Sequence, residues 1–177
     1  MKEDPTNTAL IIIDVQNELF QKSTPIYKAN ELIENILALT DGAHQARVPV
    51  IYVQHSSNAF LIKGSEGWKL HSQLSPLEGE KIIHKQHPSA FEGTELKDEL
   101  EAKGIKKLVI AGLVTHGCVK ATSLDGLKHG YQVTLVSDAH SSFSKDAAKL
   151  ITEWNEKIGK KGAILKTTRD IEFTKIY

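Results

Sequence analysis

The sequence predicts an α/β fold: one three-layer αβα domain built on a six-stranded, mainly parallel sheet. Three observations carry that reading. Six short apolar runs are spread along the chain, and most are separated by stretches whose apolar residues recur at helical spacing. Strands joined through helices run parallel, with the helices packed on both faces of the sheet. The first and fourth runs, Ala9-Leu10-Ile11-Ile12-Ile13 and Leu108-Val109-Ile110-Ala111, carry no polar residue, as strands buried on both faces require.

The elements follow in order. Residues 9–13 form the first strand, which ends at Asp14, and 15–20 are a loop or short helical turn. Residues 29–45 place Leu32, Ile33, Ile36, Leu37 and Leu39 near helical spacing, with Glu31 and Glu34 early, an amphipathic helix. The second strand covers 48–53, with Pro49 tolerated near its start. Residues 54–79 hold no regular element. Ser, Gly, Asn and His surround Phe60, Trp68 and Leu70 there, and so long a loop is a lid, a pocket wall or a packed surface loop. Residues 80–84 are the third strand, ending at Lys85. Residues 94–103 are a short charged helix, capped by Thr94, with Leu96 and Leu100 inward and Gly104 as its stop. The fourth strand breaks at Gly112, and a helix follows Cys118 as far as about His129. Residues 132–136 and 163–165 are the fifth and sixth strands, on either side of a helix over 146–157. The tail, 168–177, packs or contacts another subunit. No repeat or linker divides the chain, so residues 1–177 are expected to form a single domain.

Bulk properties exclude several functions. The chain has 177 residues, 40% hydrophobic and 25% charged, with 22 basic and 22 acidic side chains and a formal net charge of zero. That balance, without a basic run, argues against nucleic acid as a partner. No apolar run approaches the roughly 18 residues a membrane helix needs. The start, Met1-Lys2-Glu3-Asp4-Pro5, has two acids and no apolar segment, so a secretory signal is not expected. One cysteine forms no internal disulfide, which suits a reducing, cytoplasmic location. A dinucleotide site needs a glycine-rich turn after the first strand, where Asp14-Val15-Gln16-Asn17 stands instead. A thioredoxin-like role needs a second cysteine.

Ligands of open parallel sheets bind beyond the carboxyl ends of the strands. Three ionisable residues fall at such ends: Asp14, Lys85 and Cys118. Cys118 stands between a strand and a helix, where unpaired N–H groups and the helix dipole favour a thiolate and bind an oxyanion. A carboxylate there takes the thiol proton, and an ammonium stabilises both anions. Each has an ordinary alternative: Cys118 as a small buried hydrophobe, Asp14 as a turn cap, Lys85 as solvated surface. Their coincidence at one sheet edge favours chemistry.

Three motifs carry a family resemblance: Ile12-Ile13-Asp14-Val15-Gln16-Asn17; Lys85 followed by Ser89-Ala90-Phe91-Glu92-Gly93-Thr94; and Ala111-Gly112-Leu113-Val114-Thr115 with Cys118-Val119. In this order they resemble the isochorismatase-like cysteine hydrolases, which include nicotinamidases, N-carbamoylsarcosine amidases and other small amide hydrolases. Gly64-Ser65-Glu66-Gly67-Trp68 and His71 are similar to the family's loop before the third strand. The resemblance spans about residues 9–165. It implies a sheet ordered 3-2-1-4-5-6, an Asp14–Lys85–Cys118 triad, a cis peptide before Val114, and an oxyanion hole made by the N–H groups of Val114 and Cys118. It implies hydrolysis of a C–N bond through a Cys118 thioester, with Asp14 as general acid and base. It also implies a homo-oligomer, dimer or tetramer.

Departures from the family narrow the expectation. Nicotinamidases hold a metal with an Asp-x-His pair after the second strand; here Gln54-His55-Ser56 stands there, so neither a metal nor another cofactor is expected. His55 and His71 are the residues that would recruit a metal. Cys118 favours C–N hydrolysis over the vinyl-ether chemistry of the isochorismatases proper; a catalytically silent binding protein of the same fold is the remaining alternative. The expected ligand is a small molecule in a partly apolar pocket, with Phe20, Trp68 and Phe91 as walls and His55 and His116 within reach. Phe91 serves equally well as core, and His116 as a helix cap.

Overall fold

The computed structural model describes residues 6–173; the reading of the N-terminus at residues 1–5 and the end of the tail, 174–177, lie outside the described residues. Six strands form one sheet: β1 (Thr8–Ile13), β2 (Val50–His55), β3 (Lys81–Lys85), β4 (Lys107–Leu113), β5 (Gln132–Ser141) and β6 (Ile164–Lys166). They lie in the order β3-β2-β1-β4-β5-β6, and all five pairings are parallel. The helices are α1 (Ala29–Ala46), α2 (Leu96–Ala102), α3 (Lys120–Lys128) and α4 (Ala147–Lys160).

Side chains alternate across a strand, and β1 shows what that does here. Leu10 and Ile12 join the core under α1, with Leu32, Ile33, Ile36 and Leu39. Ala9, Ile11 and Ile13 join the opposite core, with Leu96 and Leu100 of α2 and Ile158 of α4. A strand with a core on each side has no face for a polar residue, which is why the run is unbroken. Three layers result, and among the described residues α1 is the one α-helix packed on its face.

Element ends depart from the sequence reading for local reasons. β2 starts at Val50 because the Val48 N–H bonds back to the Ala43 carbonyl, closing α1. Thr94 does serve the start of α2: its hydroxyl accepts the Leu96 N–H at 3.2 Å. β5 runs five residues past the apolar run that marks it. Ile110 pairs with Leu135, yet Gly112 pairs with His140, so β5 bulges between those pairs. Asp138 ties the bulge down: its carboxylate accepts the Thr168 N–H and hydroxyl at 2.7 and 2.8 Å, and its carbonyl accepts from Asn35 Nδ2 at 2.8 Å.

One glycine is obligatory. Gly112 sits at φ +129, and a Cβ there would lie 2.1 Å from the Ile13 carbonyl oxygen. Only glycine lets β1 and β4 approach so closely at their carboxyl ends. Among the described residues, no helix is long and apolar enough to cross a membrane.

Candidate active site

Four adjacent strands, β3, β2, β1 and β4, deliver one residue each to the carboxyl edge of the sheet: Lys85, His55, Asp14 and, just beyond β4, Cys118. Asp14 leaves its strand in the left-handed region at φ +53, which Asp tolerates better than most residues, and its carbonyl accepts the Gln16 N–H. After β4 the Leu113–Val114 peptide is cis. Residues Thr115–Val119 then make one wide turn, in which the Val114 carbonyl accepts the N–H groups of both Gly117 and Val119. Cys118 lies inside that turn, ahead of α3.

Lys85 is the hub. Its side chain is fully buried. Its Nζ lies 3.0 Å from Asp14 Oδ2 and donates to Cys118 Sγ at 3.1 Å, to His55 Nδ1 at 2.9 Å and to the His87 carbonyl at 3.1 Å. Asp14, His55 and Cys118 offer donor atoms within 4.8 Å of one another, an arrangement able to hold a metal ion. The Lys85 ammonium already contacts all three, so a divalent cation would have to displace it. His71 does not pair with His55: its ring packs on Phe20, centroids 4.7 Å apart, and its Nδ1 accepts the Gln73 N–H.

Burial sets the protonation states. It raises the Asp14 carboxyl above its usual range, opposed by the charge of Lys85. It pushes the Cys118 thiol up to about 12, and the Asp14 charge adds to the rise. The expected thiolate is thus corrected to a neutral thiol: desolvation, with the Asp14 charge beside it, outweighs Lys85. Burial, then Lys85, lowers His55 to about 4, which keeps it neutral and leaves Nδ1 free to accept from the ammonium. Asp14 Oδ1 is buried and makes no hydrogen bond among the described residues.

A cavity of about 110 Å³ opens beside these groups, lined by Asp14, His55, Cys118, Val114, Leu19, Phe60, Leu61 and Phe143. His55 and Val114 are thus brought to the thiol. Phe20 packs against His71 and does not line the cavity. Trp68 lies with its ring against His84, centroids 5.2 Å apart. Phe91 belongs to the core on the other face of the sheet, against Tyr131 and His129. His116 is half-buried in the wide turn, and its Nδ1 makes no hydrogen bond among the described residues.

The walls that sequence reasoning missed, Leu19, Leu61 and Phe143, carry no local signal; their loops are set by long-range bonds. The loop after β2 returns along residues 15–18. Gln16 grips the His55 backbone through both ends of its amide and donates to the Trp68 carbonyl, and Asn17 Nδ2 donates to the Glu66 carbonyl. Glu18 Oε2 accepts the Leu61 N–H at 2.7 Å and helps hold that wall residue at φ +51. A polar run after a strand signals such stapling only once its partners are known.

The isochorismatase domain family matches residues 8–165. The chain is 31% identical over 171 residues to a secreted isochorismatase effector of Verticillium dahliae, covering 93% of this chain and 90% of that one. It is 30% identical over 173 residues to a ureidoacrylate amidohydrolase of Acinetobacter baylyi, covering 76% and 71%. The crystal structure of an isochorismatase from Pseudomonas putida superposes with a TM-score of 0.88 at 27% identity, covering 97% of this chain and 93% of that one.

Proposed function

The chain belongs to the isochorismatase family of hydrolases, and on that premise we propose that it cleaves the C–N bond of a small, uncharged amide, with Cys118 as nucleophile. One observation carries the reading. A buried ammonium, Lys85 Nζ, holds the Asp14 carboxylate at 3.0 Å and the Cys118 sulfur at 3.1 Å on the wall of a cavity.

Asp14 takes the thiol proton as sulfur attacks, and the S–C bond forms on the carbonyl carbon. A thiol this basic loses its proton during attack rather than before it. The unpaired Oδ1 is the atom placed to receive the proton, while Oδ2 stays on Lys85. The carbonyl oxygen becomes an oxyanion, and the N–H groups of Val114 and Cys118 are assigned to it. The C–N bond breaks as Asp14 returns the proton to the leaving nitrogen. Water then attacks the thioester, giving its proton to Asp14; the S–C bond breaks, the acid leaves, and sulfur recovers the proton. Apart from Asp14 and His55, both engaged with Lys85, every other wall residue but the thiol is apolar, which suits a compact acyl group without charge. Assembly as a homo-oligomer is part of the same proposal.

The test is ammonia or amine release from a panel of small amides and ureides by the wild type and by Cys118→Ala. Turnover should fall at least about a thousandfold with the circular dichroism spectrum unchanged. A purified Cys118→Ala protein that retains turnover refutes the assignment.

A further inference from the structure

A chain of polar side chains runs behind the turn that carries Cys118, and the mechanism above does not use it. Asn155, on α4, donates from Nδ2 to the Ser137 carbonyl at 3.1 Å. A carbonyl only accepts, so this contact fixes the amide and turns Oδ1 toward His140, 2.8 Å from Nε2. Oδ1 also only accepts, so Nε2 carries the imidazole proton. His140 is buried, and desolvation holds it neutral. Its Nδ1 is therefore a bare lone pair, and the group facing it is the Thr115 hydroxyl, 2.8 Å away in the buried interior. The hydroxyl must donate. Every proton in the chain Thr115–His140–Asn155–Ser137 thus has one allowed position, set by a backbone carbonyl at its far end.

The near end sits at the site. Thr115 opens the wide turn, next to Val114, and Cys118 follows three residues later. His140 reaches it because β5 bulges: past the bulge, Gly112 pairs with His140 and Leu113 with Ser141.

We propose that Thr115, His140 and Asn155 form a positioning relay that aims the N–H groups of Val114 and Cys118 at the substrate oxygen. This rests on the cysteine-hydrolase reading. None of the three touches substrate; their effect passes through the turn. Removing the Thr115 proton leaves a buried lone pair on His140 with no donor, and the turn loses the bond that locks its first residue to β5.

Two reactions of the same sulfur separate this role from simple support of the fold. Acylation by p-nitrophenyl acetate builds charge on an oxygen that must enter the oxyanion hole. Alkylation by iodoacetamide displaces iodide at a methylene carbon and builds no such charge. Thr115→Val should slow the p-nitrophenol burst roughly 10- to 100-fold, while alkylation stays within about threefold. Thr115→Ser, which keeps the hydroxyl, should restore the burst. Asn155→Leu, at the half-exposed end on α4, should slow the burst in the same selective way and serves if Thr115→Val fails to fold. A wild-type burst in both Thr115→Val and Asn155→Leu overturns the relay, as does an equal loss of burst and alkylation. A wild type that is alkylated but releases no p-nitrophenol overturns the hydrolase reading, and the relay with it.

Discussion

Replacing Lys85 by methionine removes a fully buried ammonium and leaves four groups facing an apolar side chain: Asp14 Oδ2, His55 Nδ1, the His87 carbonyl and Cys118 Sγ. The Asp14–Lys85 attraction at 3.0 Å is about 5–6 kcal/mol at an effective dielectric constant near 20. Burying the two charges costs several kcal/mol apiece, so the pair adds little net stability. The single replacement is different, because it strands Asp14 as an uncompensated buried charge, and its expected cost is about 3–5 kcal/mol. Adding Asp14→Asn removes that charge, so the double variant should lose well under the sum of the two single losses. The assay is urea unfolding at neutral pH of the wild type, both single variants and the double, with the slope checked for constancy. A coupling of about 2 kcal/mol or more is expected. Additivity within about 0.5 kcal/mol, or a Lys85→Met loss below about 1 kcal/mol, would refute a buried, ionised pair.

Gly112→Ala should prevent normal folding, since its Cβ would overlap the Ile13 backbone; a loss beyond about 4 kcal/mol is expected, and a wild-type melting curve would contradict it. Cys118 should react slowly with iodoacetamide at neutral pH, with a midpoint above the ordinary thiol value of about 8.5, and Asp14→Asn should lower that midpoint by removing a neighbouring anion; a wild-type midpoint below 7 would show a standing thiolate instead. His55 has its folded pKa depressed to about 4, so the unfolded chain binds the extra proton first. Its contribution to stability is present above its ordinary value of 6.5 and is lost as pH falls from there toward 4. His55→Gln should flatten the stability profile across that window, and an unchanged slope would remove His55 as its source.

The sheet was legible because burial on two faces leaves no choice of residue: 9–13 and 108–111 read as strands for the reason they fold as strands. The end of β5 was not legible. Ser137, Asp138 and His140 are polar, and each is satisfied by a partner far away in sequence: Lys166, Thr168 and Thr115. Asp14, Lys85 and Cys118 could be placed at strand ends by counting along each run. Their protonation could not, since it depends on how much water the assembled edge excludes. Phe91 shows the limit of composition: an aromatic next to a motif serves a pocket or a core, and only the packing against Tyr131 decides.

The central position of β1 bears on how the protein is made. Thr8 pairs with Lys107 and Ile13 with Gly112, so one edge of β1 waits for a partner about a hundred residues later. At ordinary translation rates that interval lasts roughly 5–20 s. Throughout it, a strand that is apolar from Ala9 to Ile13 has an open edge, the kind of template that recruits other chains. Cys118 emerges only just after the strand that closes this edge. A nascent chain is therefore most prone to aggregation before Cys118 is made, and chaperone demand should concentrate in that interval.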